Sequence, residues 1–274
     1  MAHVFSRLLL ATEHSEFDAG AEALALALAQ RCGLPLACVL PVVSNPEFEM
    51  VAPQLAARAD AEASARRERL EALALAQGVV FTLRVRRGQE PFAEIVDEAR
   101  EQSTDLLVIR RRGKRGLLAN LLVGEMVSKV VSHAPCSVLI TPRGAQMWSR
   151  GVLVGLDPLQ PDMATVNLAA EVANECGLPL QLLAVAATEA TRAAAQQALW
   201  AALAQVRQRC PQAAGELRLG RPHEQLIAGA GGTGTTGADL IVIARHRPES
   251  LGRAWIGGVA QKVIGLADCP VLVR

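Results

Sequence analysis

The chain has 274 residues, 51% of them hydrophobic, only 3% aromatic and none Tyr, which is enough material for two ordinary domains with sizeable cores. Its 28 Lys and Arg against 27 Asp and Glu leave a formal net charge of +1, which excludes a global pull toward nucleic acid or an anionic membrane surface. The scarcity of aromatics excludes a base-stacking platform for single strands.

No apolar run approaches the ~18 residues that span a bilayer. The N-terminus has no signal-peptide pattern, because Arg7-Leu-Leu-Leu-Ala runs straight into polar Thr12, Glu13 and His14. A cytoplasmic protein without nucleic-acid or membrane partners is expected. The cysteines Cys32, Cys38, Cys136, Cys176, Cys210 and Cys269 form no C-x-x-C pair and no metal-ligand spacing with the 5 His. They are expected to be reduced and mostly buried, acting as small hydrophobes, with no metal site.

In chain order, Leu8 to Ala11 suits a short buried strand. Ser15-Glu-Phe-Asp18 has the capping-box spacing, with Ser15 as the cap of an Ala- and Leu-rich helix over Ala19 to Arg31. Cys32-Gly33-Leu34-Pro35 ends that helix, since Gly accepts the left-handed conformation and Pro cannot continue a helix. Leu36 to Val43 is the next strand. Pro53 to Gln77 is a long charged helix closed by Gly78, Val79 to Val85 a third strand, and Phe92 to Glu101 a helix after a turn at Gly88. Leu106 to Ile109 is a fourth strand. It leads through a basic glycine loop, Arg110 to Gly124, into a further helix and the strand Ser137 to Thr141.

The second half repeats this order. Val152-Leu-Val-Gly-Leu-Asp157 matches Leu8-Leu-Leu-Ala-Thr-Glu13, and Asn174-Glu-Cys-Gly-Leu-Pro-Leu180 matches Gln30-Arg-Cys-Gly-Leu-Pro-Leu36 at the same offset. Asp239-Leu-Ile-Val-Ile and its following loop echo Asp105-Leu-Leu-Val-Ile at a shorter offset. Such a register marks a tandem duplication, with domains over 1–143 and 150–274 and a boundary near Pro142 to Gly151. Each half alternates strand and helix, and strands that are apolar without alternation mean an α/β domain with a parallel sheet covered on both faces. Ligands of such sheets bind outside the carboxyl ends of the strands, where strand order reverses. Glu13, Asp157 and the two glycine loops occupy those places.

These residues, together with His133-Ala-Pro-Cys-Ser-Val-Leu and its echo Asp268-Cys-Pro-Val-Leu, resemble the universal stress proteins in tandem form. The resemblance covers nearly the whole chain twice. It implies two Rossmann-like (adenine nucleotide alpha hydrolase-like) domains, each a five-stranded parallel sheet flanked by helices. It also implies pairing through the last strands, as an intrachain pseudo-dimer or a homodimer. In nucleotide-binding members it implies ATP or another adenine nucleotide held by a loop of pattern G-x2-G-x9-G-(S/T). Glycine lets backbone N–H groups approach phosphate without a Cβ in the way, and a helix N-terminus adds favourable partial charge.

Neither copy keeps that pattern. In the first, Arg110 stands at the first glycine, Gly113 is kept, one extra residue precedes Gly124, and Glu125 takes the hydroxyl position. In the second, Ala244 and Arg247 replace the first two glycines, Gly257 is kept and Gly258 takes the hydroxyl position. Two readings compete. In one, Arg111, Arg112, Lys114 and Arg115, or Arg245, His246, Arg247 and Arg253, replace the lost cradle with charge. In the other they fold over an empty site or are solvated, and Glu125 repels phosphate from a helix start where it is itself well placed. The second domain, with Asp157, Ala244, His246, Arg247, Gly257 and Gly258, is the better candidate nucleotide site; Glu13, Gly113 and Gly124 are its first-domain counterparts.

Gly229-Ala-Gly-Gly-Thr-Gly234 satisfies G-x-G-x-x-G but precedes a strand instead of following one, so it reads as an irregular helix end and not as a dinucleotide site. His133 is explained by cation placement at a helix C-terminus. His14 and Ser15 lie beside the first site, and no nucleophile stands with a base, so a committed enzyme is not expected. Three functions follow: a nucleotide-responsive regulatory module, a nucleotide-free scaffold acting through protein contacts, and a weak ATPase.

Overall fold

A computed structural model of the chain describes residues 3–51, 53–111, 124–231, 237–245 and 256–274. Two compact units emerge, one built around Phe5–Arg112 with Gly124–Met147 and the other around Trp148–Arg274.

The first unit runs β1 (Leu8–Ala11), α1 (Ala19–Cys32), β2 (Leu36–Val43), α2 (Pro46–Val51), α3 (Pro53–Ala76), β3 (Phe81–Gly88), α4 (Pro91–Glu101), β4 (Leu106–Arg110), α5 (Glu125–His133) and β5 (Ser137–Thr141). Its strands are all parallel, in the order β3-β2-β1-β4-β5. The second unit runs β6 (Val152–Leu156), α6 (Met163–Cys176), β7 (Leu180–Ala186), α7 (Glu189–Val206), β8 (Ala214–Leu219), α8 (Pro222–Ala230), β9 (Leu240–Ile243), α9 (Gly258–Leu266) and β10 (Val271–Val273). Its order, β8-β7-β6-β9-β10, is the same, and again all parallel. Both are doubly wound five-stranded α/β sheets. Leu9, Leu10, Leu106, Leu107 and Ile109 are fully buried, as central strands covered by helices on both faces require.

Most boundaries follow the sequence reading, and the departures have local causes. Helix α1 starts at Ala19 with Asp18 as its N-cap. Ser15 therefore precedes the helix instead of capping it, although its N–H does donate to the Asp18 carboxylate at 2.9 Å. The third strand is displaced to Phe81–Gly88, because the Val79 N–H still closes the end of α3 on the Ala74 carbonyl. Helix α4 begins at Pro91, where the ring's fixed φ suits a first helical position. Helix α8 ends at Ala230, so most of the glycine cluster lies beyond it, and residues 232–236 lie outside the described residues. Of the cysteines only Cys38 and Cys210 are buried; the other four are partly exposed, fewer buried than the sequence suggested because several sit on helix rims and not in strands.

Asp105 and Asp239 do the same work at the amino ends of the two sheets. Asp105 accepts from the N–H groups of Ser6 and Arg7, both at 2.9 Å. Asp239 accepts from Ser149 at 2.8 Å, Arg150 at 3.0 Å and Gly151 at 3.1 Å. Each carboxylate satisfies the donors of the segment that enters its unit's first strand, a structural duty far from the carboxyl ends.

Gly20 is held by contact and not by conformation: a Cβ there would overlap the carbonyl oxygens of Pro142 and Arg143 just beyond β5. Its counterpart in the second repeat is Ala164. Gly20→Ala should destabilise the first unit by ~1–3 kcal/mol through overpacking, while Ala164→Gly loses only the ~1 kcal/mol of helix propensity. Urea denaturation measures both, and a Gly20→Ala protein more stable than wild type would refute the contact.

Burial and the Asp239 carboxylate push the Cys269 thiol up to about 11. A raised folded-state value contributes stability that is fully present below the ordinary 9.0 and is lost as pH climbs toward about 11. Cys269→Ala should therefore lose less stability than wild type over that alkaline window. Parallel alkaline losses in the two proteins would exclude this linkage.

Candidate functional site

In each unit the strand order reverses between the first and fourth strands, β1 and β4 or β6 and β9, so the switch-point crevice opens beside their carboxyl ends. Parallel winding brings helix N-termini to the same rim, where bare N–H groups carry positive partial charge.

In the first repeat this crevice is filled. Arg110 is the last residue of β4, registered through its backbone opposite Thr141 of β5, and its side chain is only 4% exposed. Nη2 donates to Glu13 Oε2 at 2.6 Å; Nη1 donates to Asp18 Oδ2 at 2.9 Å and to Ser15 Oγ at 2.6 Å. The Ser15 hydroxyl itself donates to Asp18 Oδ2 at 2.6 Å. Behind this cluster the Thr12 hydroxyl donates to buried Glu22 at 2.6 Å, and His14 Nδ1 lies 3.0 Å from the same carboxylate oxygen. His14 adopts φ 50°, the left-handed region, as the chain turns from β1 toward α1. The recess that remains, walled by Pro41, Ile95 and Met126 beside Arg110, has a volume of about 10 Å3, room for about one water.

Acidic side chains also occupy the helix starts. Asp18 and Glu22 lie at the N-terminus of α1. Glu125 opens α5 after Gly124, with its carboxylate 3.1 Å from Lys129 Nζ. Carboxylates are favoured there by the helix dipole.

The second repeat has lost every part of the plug except the two acids. Ala244 stands for Arg110, Leu159 for Ser15, Val166 for Glu22 and Leu156 for Thr12. Asp157 is exposed, and one of its oxygens accepts from the Leu159 N–H at 2.9 Å. Asp162, the N-cap of α6, is occupied by its own helix: it accepts from the N–H groups of Ala164 and Thr165 and from the Thr165 hydroxyl at 2.7 Å. Arg274 approaches it only to 3.6 Å.

Helix α9 starts at Gly258 behind Gly257, with no acidic residue in its first turn. The cap of Gly257, φ −59° and ψ 148°, repeats that of Gly124, φ −57° and ψ 145°, so neither glycine is required by backbone conformation. A Cβ on Gly258 would meet nothing within 4 Å among the described residues.

Glu13, Gly124, Asp157, Ala244, Gly257 and Gly258 thus all lie at the carboxyl ends of their own sheets, Glu13 and Gly124 in the first unit and the other four in the second. Gly113, His246 and Arg247 lie outside the described residues, as do Arg112, Lys114, Arg115 and Arg253. The residue that sequence reasoning missed is Arg110, read as a lost glycine at the head of a solvated loop. The available signal was an arginine continuing an apolar strand that the parallel order lays beside the strand followed by Glu13. His133 does close its helix end, its Nδ1 lying 2.8 Å from the Lys129 carbonyl.

The model of the Universal stress protein family matches residues 5–142 and again residues 149–273. The chain belongs to the universal stress protein family. Among solved structures, this universal stress protein resembles one from Archaeoglobus fulgidus DSM 4304, with a TM-score of 0.70 at 16% identity over 99% of this chain and 97% of that one. It also resembles a functionally unknown protein from Pseudomonas aeruginosa PAO1, with a TM-score of 0.66 at 19% identity over 98% and 92%. A third similar structure is the cytoplasmic domain of a prokaryotic cation chloride cotransporter, with a TM-score of 0.53 at 11% identity over 98% and 94%. These likenesses establish the fold. A search of the curated proteins returns no match. Among the described residues no helix is long and apolar enough to cross a membrane.

Removing Arg110 strands the Asp18 carboxylate in a site where it is 1% exposed. Arg110→Ala should therefore destabilise the protein by about 3–5 kcal/mol, the usual consequence of breaking a buried pair by deleting one partner. Arg110→Lys should recover only part of this, because a point charge cannot serve three acceptors in a plane. Chemical denaturation decides it; a loss below about 1 kcal/mol would mean that the pair is no better than a surface ion pair.

Proposed function

We propose that this chain is a regulatory, ligand-binding member of its family, not a committed enzyme, and that any adenine nucleotide it takes is bound by the second repeat alone. The observation that carries this reading is the contrast at one position: Arg110 sits buried on two carboxylates at the end of β4, whereas the equivalent residue after β9, Ala244, carries no charged side chain.

The chemistry of the second crevice suits a nucleotide. The exposed Asp157 carboxylate is an acceptor for a ribose hydroxyl or an adenine amino group. The start of α9 offers backbone N–H groups with no competing acid, and the glycine at its first position is one the fold does not demand. Both features suit an anion placed at that helix end. In the first crevice the same two places are taken by Glu13, already bonded to Arg110, and by Glu125. A cytoplasmic location and pairing with a second copy belong to the same reading of the family.

Calorimetric titration with Mg-ATP is the test. One site per chain is expected. Asp157→Ala should weaken it about tenfold or more, since a hydrogen bond to a charged group contributes ~1.5–3 kcal/mol. Gly258→Glu, which copies the first repeat's acid into space that is open, should abolish binding while leaving the melting temperature near wild type. Binding unaffected by either substitution would overturn the assignment to the second repeat. Absence of any heat, with an unchanged melting temperature in Mg-ATP, would favour the nucleotide-free scaffold.

A further inference from the structure

The polarity of the first repeat's crevice is the reverse of what a phosphate needs. Carboxylates of Glu13 and Asp18 line it, Glu22 stands behind them on Thr12 and His14, and Glu125 stands at the start of α5. Two of these, Asp18 and Glu22, are buried. The guanidinium of Arg110 is seated among them, held by three groups on the segment between β1 and α1.

We propose that Arg110 is an autoinhibitory latch, a guanidinium supplied in cis that occupies the first repeat's own ligand recess, so that its removal opens a pocket for a small guanidinium or ammonium cation and not for a nucleotide.

Three observations carry this. The strand does not need the side chain: β4 pairs with β5 through backbone groups, and the second repeat has Ala244 just after its equivalent strand and the same sheet order. The planar fork is used as a ligand would use it, with Nη1 bridging Asp18 and Ser15 while Nη2 reaches Glu13, a geometry a guanidinium satisfies and an ammonium satisfies less well. The serine follows the arginine: where Ala244 replaces Arg110, Leu159 replaces Ser15, and the two acids that remain, Asp157 and Asp162, are served by backbone and hydroxyl donors instead. The latch does not depend on nucleotide binding by the second repeat, and its test is separate from that one.

The experiment uses the full chain carrying Arg110→Ala, melted in millimolar guanidinium or methylguanidinium chloride against equal sodium chloride. The expected result is a melting temperature raised by the guanidinium salts in the variant and not in wild type, whose recess is already filled. A companion Arg110→Ala/Gly258→Glu protein, in which the second repeat's helix start is closed as well, should give no heat with Mg-ATP, because the exposed carboxylates repel it. Should Arg110→Ala fail to fold in sodium chloride, the expected outcomes are folding restored by guanidinium and by the second change in Arg110→Ala/Asp18→Asn, which removes the stranded charge. The proposal is overturned if guanidinium gives the variant no gain over sodium, if the variant stays unfolded in guanidinium and as the double mutant, or if the companion protein binds Mg-ATP.

Discussion

Each repeat depends on one constraint: a parallel sheet that is apolar on both faces must be covered on both. Leu9, Leu107 and Ile109 in the first unit and Leu153, Ile241 and Val242 in the second are essentially removed from water. The covering helices can only be crossovers, so the carboxyl end of every strand but the last in each unit leads to a helix N-terminus on the same rim. The rim is therefore positively biased before any side chain is chosen. The polar chemistry of the molecule is an answer to that bias.

The two repeats answer it differently. The first neutralises the helix starts with its own carboxylates, Asp18 and Glu22 at α1 and Glu125 at α5. Two of these are buried, and desolvated negative charge of that density demands a cation in contact. Arg110 is that cation, and its planar fork satisfies Glu13, Asp18 and Ser15 together. The recess beside it measures about 10 Å3, room for about one water. In the second repeat backbone and hydroxyl donors serve Asp157 and Asp162, and the first turn of α9 holds no acidic residue.

Much of the fold was legible in sequence because it rests on local and repeated signals. Unbroken apolar runs such as Leu106-Leu-Val-Ile, the Gly-Leu-Pro that ends α1 and α6, and the register between the halves all point to five parallel strands twice over. Boundaries that moved did so where a contact outside the segment decided them, as when Val79 stayed with the end of α3. The Gly20 position shows the same limit: nothing near it in sequence announces the carbonyls of Pro142 and Arg143, which lie more than a hundred residues away.

The candidate site divides along the same line. Sequence by itself determined that an acid follows each unit's first strand and that both glycine loops are degenerate, because those facts depend only on spacing and on the repeat. It could not say what Arg110 does. Ser15 and Asp18 read as a helix cap and Arg110 as loop charge, since each was judged against its chain neighbours. Tertiary structure decided that Arg110 is buried on Glu13 and Asp18, because an ion pair spanning 92 residues arises only once parallel winding lays the end of β4 beside the end of β1. The electrostatics of a buried carboxylate are set by what surrounds it in space.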